Sequence, residues 1–140
     1  MAMLRGALAG MAAAAAWAAV EPLVRRAVDV PPGYSDLRLL GAPFGRGRWR
    51  SVGFVLHLAN GAAFGAAFRL LGGSGWRQGL AAAELENLVL WPGMAVVDRV
   101  HPDRRSGAWP PLLANSRVLA YEAVVHAVFG VTLGLLADRA

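Results

Sequence analysis

Residues 118–136 read VLAYEAVVHAVFGVTLGLL. The stretch is long and apolar enough to cross a bilayer as one helix, which takes about 20 residues. Its main interruptions are Glu122 and His126, followed at the same four-residue step by Gly130 and Gly134. Steps of four fall on one side of a helix, so a carboxylate, an imidazole and two bare patches of backbone share a stripe. Earlier in the chain, His57, Gly61 and Gly65 repeat the His-x3-Gly-x3-Gly spacing 69 residues before it, inside another apolar run. The stretch and its twin predict an all-α integral membrane four-helix bundle with polar groups in its interior.

Composition supports that class. Of 140 residues 56% are hydrophobic and 16% charged, where a soluble domain carries about a quarter charged residues. The spans are predicted at about 6–24, 52–71, 79–97 and 118–136, in a single domain 1–140, with polar connections over 25–50 and 98–117. There is no cysteine, hence no disulfide framework and no thiolate metal site. All 14 basic residues are arginine, and they collect between the apolar runs. Lipid headgroups, rather than nucleic acid, are the acidic partner that this placement implies.

A second landmark of repetition is Pro22 and Pro32, which recur 70 residues later as Pro92 and Pro102. With the paired histidines, it predicts two parallel copies of one helical hairpin. The first run also resembles a secretory signal, with Arg5, an apolar core and small residues around Ala16 and Ala18. The repeat argues instead for a retained span whose Gly6 and Gly10 form a close-packing face. In the first connection, Ser35 or Asp36 is expected to cap a short amphipathic turn through Leu37, Leu39 and Leu40 at the interface. The run Gly45-Arg46-Gly47-Arg48-Trp49-Arg50 has the basic and aromatic mix of an RNA-binding segment, but directly before a span it reads as an interfacial anchor.

The second span places His57, Asn60, Gly61, Phe64, Gly65 and Phe68 on one face. Gly61-x3-Gly65 and Gly130-x3-Gly134 are the predicted helix-packing contacts. The third span carries Glu84, Glu86 and Asn87, and each ionised group there costs roughly 2.5 to 3.5 kcal/mol on insertion scales. Glu84 and Asn87 share a face while Glu86 points nearly opposite, so Glu84 and Asn87 are expected inside and Glu86 elsewhere. Trp91-Pro92-Gly93 is expected to kink or loosen the helix. His101, in the last connection, is expected to be solvated or bonded to a headgroup, and Trp109 to stand ahead of the final span.

Ten arginines lie in the two long connections and four elsewhere. The positive-inside rule then places both connections in the cytoplasm and both termini outside.

His57 and Gly61 ahead of Phe64, Trp76-x-x-Gly79-Leu80 at the opening of the third span, Asn87, Pro92 and the final His126 form a scattered pattern. In it, roughly residues 50–137 resemble the small YagU-like inner-membrane proteins of bacteria. The resemblance implies several spans in the inner membrane with histidines in the second and last, and no established chemistry. It also implies basic ends and termini inside, against the arginine count. The Glu84 and Glu86 pair and the arginine-rich first connection depart from it.

Four functions are compatible with the residues. The first expectation is a structural or accessory membrane module, alone, as a homodimer or in a larger membrane complex, whose interior His57, Asn60, Glu84, Asn87, Glu122 and His126 hydrogen-bond across the bundle. The alternative is movement of protons, ions or a small solute past the same residues, since intramembrane carboxylates and histidines mark such pathways. A third is haem or metal bound by His57 and His126, with Glu122 as a further candidate ligand; Cys-x-x-Cys-His is absent, which excludes covalent haem attachment. The fourth is an enzyme. A covalent route lacks support, since there is no cysteine and Ser35, Ser51, Ser74, Ser106, Ser116 and Thr132 lack a nucleophile elbow. A carboxylate and histidine pair is compatible with acid and base work on a lipid-borne substrate, and no catalytic residue is assigned.

Overall fold

A computed structural model describes residues 1–45 and 47–139, and these are helical with no strand among them. Arg46, counted above in the first connection, lies outside the described residues, as does the side chain of Arg139. The helices are α1 (Ala2–Val28), α2 (Asp36–Gly41), α3 (Trp49–Leu70), α4 (Gly75–Leu90), α5 (Met94–Val100), α6 (Pro102–Arg105) and α7 (Ser116–Arg139). Among the described residues, four helical stretches are long and apolar enough to cross a membrane: α1, α3, α4 continued by α5, and α7.

Helix ends overrun the apolar runs because local chemistry supports them. α1 passes through Pro22 and keeps Arg25 and Arg26 in its last turn, where cations complement the helix dipole. It stops at Asp29, whose left-handed φ of 54° turns its N–H back to the Arg25 carbonyl. α4 runs into a single 3-10 turn, Trp91–Gly93, before α5, because Pro92 has no N–H to continue the ladder.

Packing follows two glycine seams with the same register. In the first hairpin α1 lies on α3, with Gly6 against Gly65 and Gly10 against Gly61. In the second, α4 lies on α7, with Gly75 against Gly134 and Gly79 against Gly130. Each residue of the second seam is 69 positions after its counterpart in the first. A Cβ on Gly61 would stand 2.6 Å from the Gly10 carbonyl oxygen, and one on Gly130 2.5 Å from that of Gly79. Only glycine allows such backbone approach, which substitutes for the hydrophobic drive that lipid does not supply. Ala14 and Ala83, also 69 apart, are both fully buried beside these seams.

The hairpins join through α1 and α7, which form the inner pair, while α3 and α4 lie outside. Twofold related hairpins would pair α3 with α4 as closely as α1 with α7. That second pairing is not made along the helices, and a cleft takes its place. The repeat also differs at the cleft: the position 69 after Trp17 is Glu86, and both line that space. The Trp17 indole is buried against His57, His126 and Phe129, whereas its counterpart is a slender acid.

Both long connections fold into a cap at one end of the bundle. Ser35 caps α2, its hydroxyl accepting from the Arg38 N–H at 3.2 Å. The short helix packs against α3, where Gly41 and Gly53 allow backbone contact, and a Cβ on Gly53 would come 2.7 Å from the Leu37 carbonyl carbon. Arg38 then reaches across to Asp103 through two bonds of 2.7 and 2.8 Å, a bidentate pairing that ties the two connections together. Asp98 organises the second connection by accepting from Leu112 and Leu113 N–H groups and from Arg104.

One expectation is corrected in the cap. His101 is not solvated: it is 3% exposed, stacked 4.5 Å from Trp109, and its Nδ1 accepts the Asp103 N–H at the start of α6. Trp109, ahead of the final span, is itself buried, held edge-on to Tyr34 and under Arg38. Tyr34, Arg38 and Asp103 enclose the pair, and the sequence spacing of three separate segments carries no trace of that enclosure.

Candidate functional site

The cleft between α3 and α4 has a volume of about 320 Å³. Its floor is α1 and α7, its roof Leu39 and Leu40 of α2, and its walls His57, Asn60 and Gly61 on one side and the stretch from Glu86 to Val97 on the other. Phe64 and Phe129, with ring centroids 5.4 Å apart, lie next to its inner end. Among the described residues, five ionisable side chains line it, Asp36, His57, Glu86, Glu122 and His126, and no arginine does.

Glu122 is on the buried stripe of α7, six residues from the start of the helix, or about 9 Å along its axis. Its Oε1 accepts the Tyr34 hydroxyl at 2.5 Å. Burial raises the Tyr34 phenol well above its ordinary pKa of 10, and the Glu122 and Asp36 carboxyls add to the effect, so that hydroxyl stays a donor. Asp36 projects from the first turn of α2 and accepts from the Trp17 indole N–H at 3.0 Å and from the Tyr121 hydroxyl. The Asp36 and Glu122 carboxyls lie against one another, and Glu21 approaches the same group beside Tyr121 and Ser35. Three carboxyls, two phenols and one indole therefore meet where the first connection dips into the bundle. Carboxyl groups in contact need a proton between them to hydrogen-bond.

The two histidines flank Trp17 rather than each other. Its ring is 4.9 Å from that of His57 and 4.6 Å from that of His126, edge-on in both cases. His57 Nε2 pairs with the Ala14 carbonyl at 3.1 Å and His126 Nδ1 with the Glu122 carbonyl at 2.7 Å. A carbonyl only accepts, so each ring donates there and keeps its other nitrogen as an acceptor. The indole occupies the ground between the imidazoles that a flat macrocycle would need. Among the described residues, no three or more histidine and acidic side chains are grouped to hold a metal ion.

On α4 Asn87 lies inside as expected, while Glu84 and Glu86 exchange places. Asn87 is buried and lines the cleft, but Glu86 lines it too, whereas Glu84 does not. The α7 seam through Gly79 and Ala83 sets the rotation of the helix. The cleft then takes the arc of Glu86, Asn87, Leu90 and Met94, and Glu84 falls beyond its edge. Asn60 is exposed at the mouth of the cleft. Thus His57, Asn60, Asn87, Glu122 and His126 come together around one space and Glu84 stands apart. Sequence reasoning missed Trp17, Glu21, Tyr34, Asp36 and Tyr121. The available signal was Tyr121 beside Glu122 and the acid Glu21 within an otherwise alanine-rich run.

Compared with protein-family models, with curated proteins and with solved structures, the chain matches none.

Proposed function

We propose that the protein is a multi-pass module of the bacterial inner membrane that admits a small solute to the cleft between α3 and α4, with protons exchanged on the carboxyl cluster at its floor. The observation that carries this reading is the coincidence of the cleft with the polar cluster. A bundle that used its polar groups for packing alone would bury them between helices in contact. Here they front a space of about 320 Å³, within the roughly 300–1,000 Å³ of small-molecule sites. Intramembrane ionisable groups facing a cavity are the usual mark of a solute or proton path. The arginine distribution favours a cytoplasmic capped end. The resemblance to YagU-like proteins adds no chemistry to this reading.

The test is a panel of cationic, anionic and neutral aromatic solutes, scored by thermal shift on the detergent-purified protein and on Gly93→Phe. Gly93 lines the cleft and a Cβ there meets open space, so a larger side chain at this position has room to obstruct the cleft from its wall. At least one solute class should stabilise the wild type and leave Gly93→Phe unmoved. A panel that shifts neither protein, or both alike, overturns the reading.

A second reading has its own observation. The Tyr34–Glu122, Tyr121–Asp36 and Trp17–Asp36 bonds fasten the first connection to α1 and α7, as a structural or accessory module would require. On that reading the cluster is a latch, and Glu122→Gln lowers stability while no solute binds.

A further inference from the structure

We infer that the solute taken by this cleft is a lipophilic amine in its protonated form. The inference rests on the binding reading above and names its ligand class. Hydrogen-bond chemistry carries the first part. Asp36, Glu86 and Glu122 offer carboxyl oxygens to the cleft lining, and the backbone bonds of His57 and His126 leave each ring an acceptor nitrogen. Among the described residues, no arginine is in the lining to balance the acids, and Glu86 forms no hydrogen bond or ion pair there. Such a lining favours a ligand that donates and carries positive charge.

The walls carry the second part. Trp17, Leu39, Leu90, Trp91, Met94 and Phe129 make most of the surface apolar or aromatic, and indole faces attract organic cations as well as hydrocarbon. Beyond the mouth, α4 presents Leu85, Leu88 and Val89 outward. A ligand dissolved in lipid therefore reaches the cleft sideways, without crossing the cap. An ammonium group on an apolar body fits both wall and floor; a carboxylate would meet three acids.

An independent observation concerns the far wall. Asn87 is 5% exposed and lines the cleft, and among the described residues its Nδ2 makes no hydrogen bond of good geometry, although the Glu84 carboxyl one turn back is close enough to interact with it. A buried amide donor left unpaired costs about 1–3 kcal/mol, so an oxygen on the ligand, such as a hydroxyl or carbonyl, would complete it.

The experiment compares phenylbutylamine, phenylbutanol and phenylbutyrate, which share one apolar body and differ in head group. Binding is followed by calorimetry on the detergent-purified full chain, with Glu86→Gln and Gly93→Phe in parallel. The amine should bind at least tenfold more tightly than the alcohol, and the carboxylate least. Glu86 forms no hydrogen bond or ion pair among the described residues, so Glu86→Gln should keep the wild-type melting temperature and lose at least tenfold in amine affinity. Gly93→Phe should lose all binding. If the alcohol or carboxylate binds as well as the amine and Gly93→Phe abolishes it, the cleft is a binding site and the amine assignment is wrong. If the amine fails to bind, or binds Gly93→Phe and Glu86→Gln as it binds the wild type, the inference is refuted.

Discussion

The two glycine seams make a quantitative claim that one extra carbon can test. In Gly130→Ala the new Cβ starts 2.5 Å from the Gly79 carbonyl oxygen and 2.8 Å from the Leu80 Cα. Ordinary contact begins near 3.4 Å, so α4 and α7 must part by about 0.9 Å along that line. Both obstacles are backbone, and no rotamer change relieves them. Overpacking of this kind costs about 1–3 kcal/mol, while alanine gains about 0.5–1 kcal/mol over glycine within a helix. The net loss expected is about 1 kcal/mol, measured by reversible denaturation in mixed detergent micelles. Gly61→Ala should match it, because its Cβ meets the Gly10 oxygen at 2.6 Å and the Ala14 Cβ at 2.7 Å. The seams share no partner, so the double variant should lose the sum within about 0.5 kcal/mol. Gly93→Ala enters open space and should be neutral or slightly stabilising. If Gly61→Ala and Gly130→Ala behave like Gly93→Ala, the seams are not close contacts and the packing argument fails.

Other perturbations follow from the cap and the floor. Tyr34→Phe leaves the buried Glu122 carboxyl without its hydroxyl donor and should cost about 1–3 kcal/mol in the same assay; a neutral result would mean that water or another donor already serves Glu122. Arg38→Ala strips the bidentate partner from Asp103, which is 2% exposed. Because Arg38 is partly exposed, the loss should fall between the exposed and buried cases, about 1–3 kcal/mol, and an unchanged denaturation midpoint would show the pair to be idle. His101 gives a pH dependence. Burial lowers its pKa below 6.5, against the opposing pull of Asp103. The stability it contributes is complete above about pH 6.5 and declines as pH falls toward the folded value. Relative to His101→Asn, which can still cap α6, the wild-type melting temperature should therefore drop between pH 7.5 and pH 5; a constant difference would contradict a buried neutral imidazole.

Hydropathy and spacing made the spans, the seams on α3 and α7 and the histidine stripe legible before any coordinates, because each is a property of one helix. The matching seam residues on α4 were legible in principle: Gly6 and Gly10 plus 69 are Gly75 and Gly79. Using them would have fixed the rotation of α4 and turned Glu86 rather than Glu84 toward the cleft. Helical spacing alone says which residues share a face and not which face is inside. The carboxyl cluster was harder to read. Asp36 belongs to a connection, and connections of this length usually stay in headgroups. It enters the bundle because Gly41 and Gly53 admit the α2 backbone against α3, and these glycines share no helical register. Trp17 was hidden for a similar reason, since its counterpart in the repeat is an acid and leaves no pattern to match.

The uneven joining of the two hairpins resembles a book, with α1 and α7 as the spine and α3 and α4 as covers. Each cover is fixed along one edge by a seam of glycines, which holds backbone close but offers few interlocked side chains to resist rolling. The covers are joined at one end by the turn through Gly72, Gly73 and Ser74 and at the other, beneath α2, by the Arg38–Asp103 pair of the cap. Rolling them apart about the seams at the capped end would require that pair to break. The carboxyl floor lies at that end. The Arg38–Asp103 pair is thus a clasp over the carboxyl floor, on the side away from the spine.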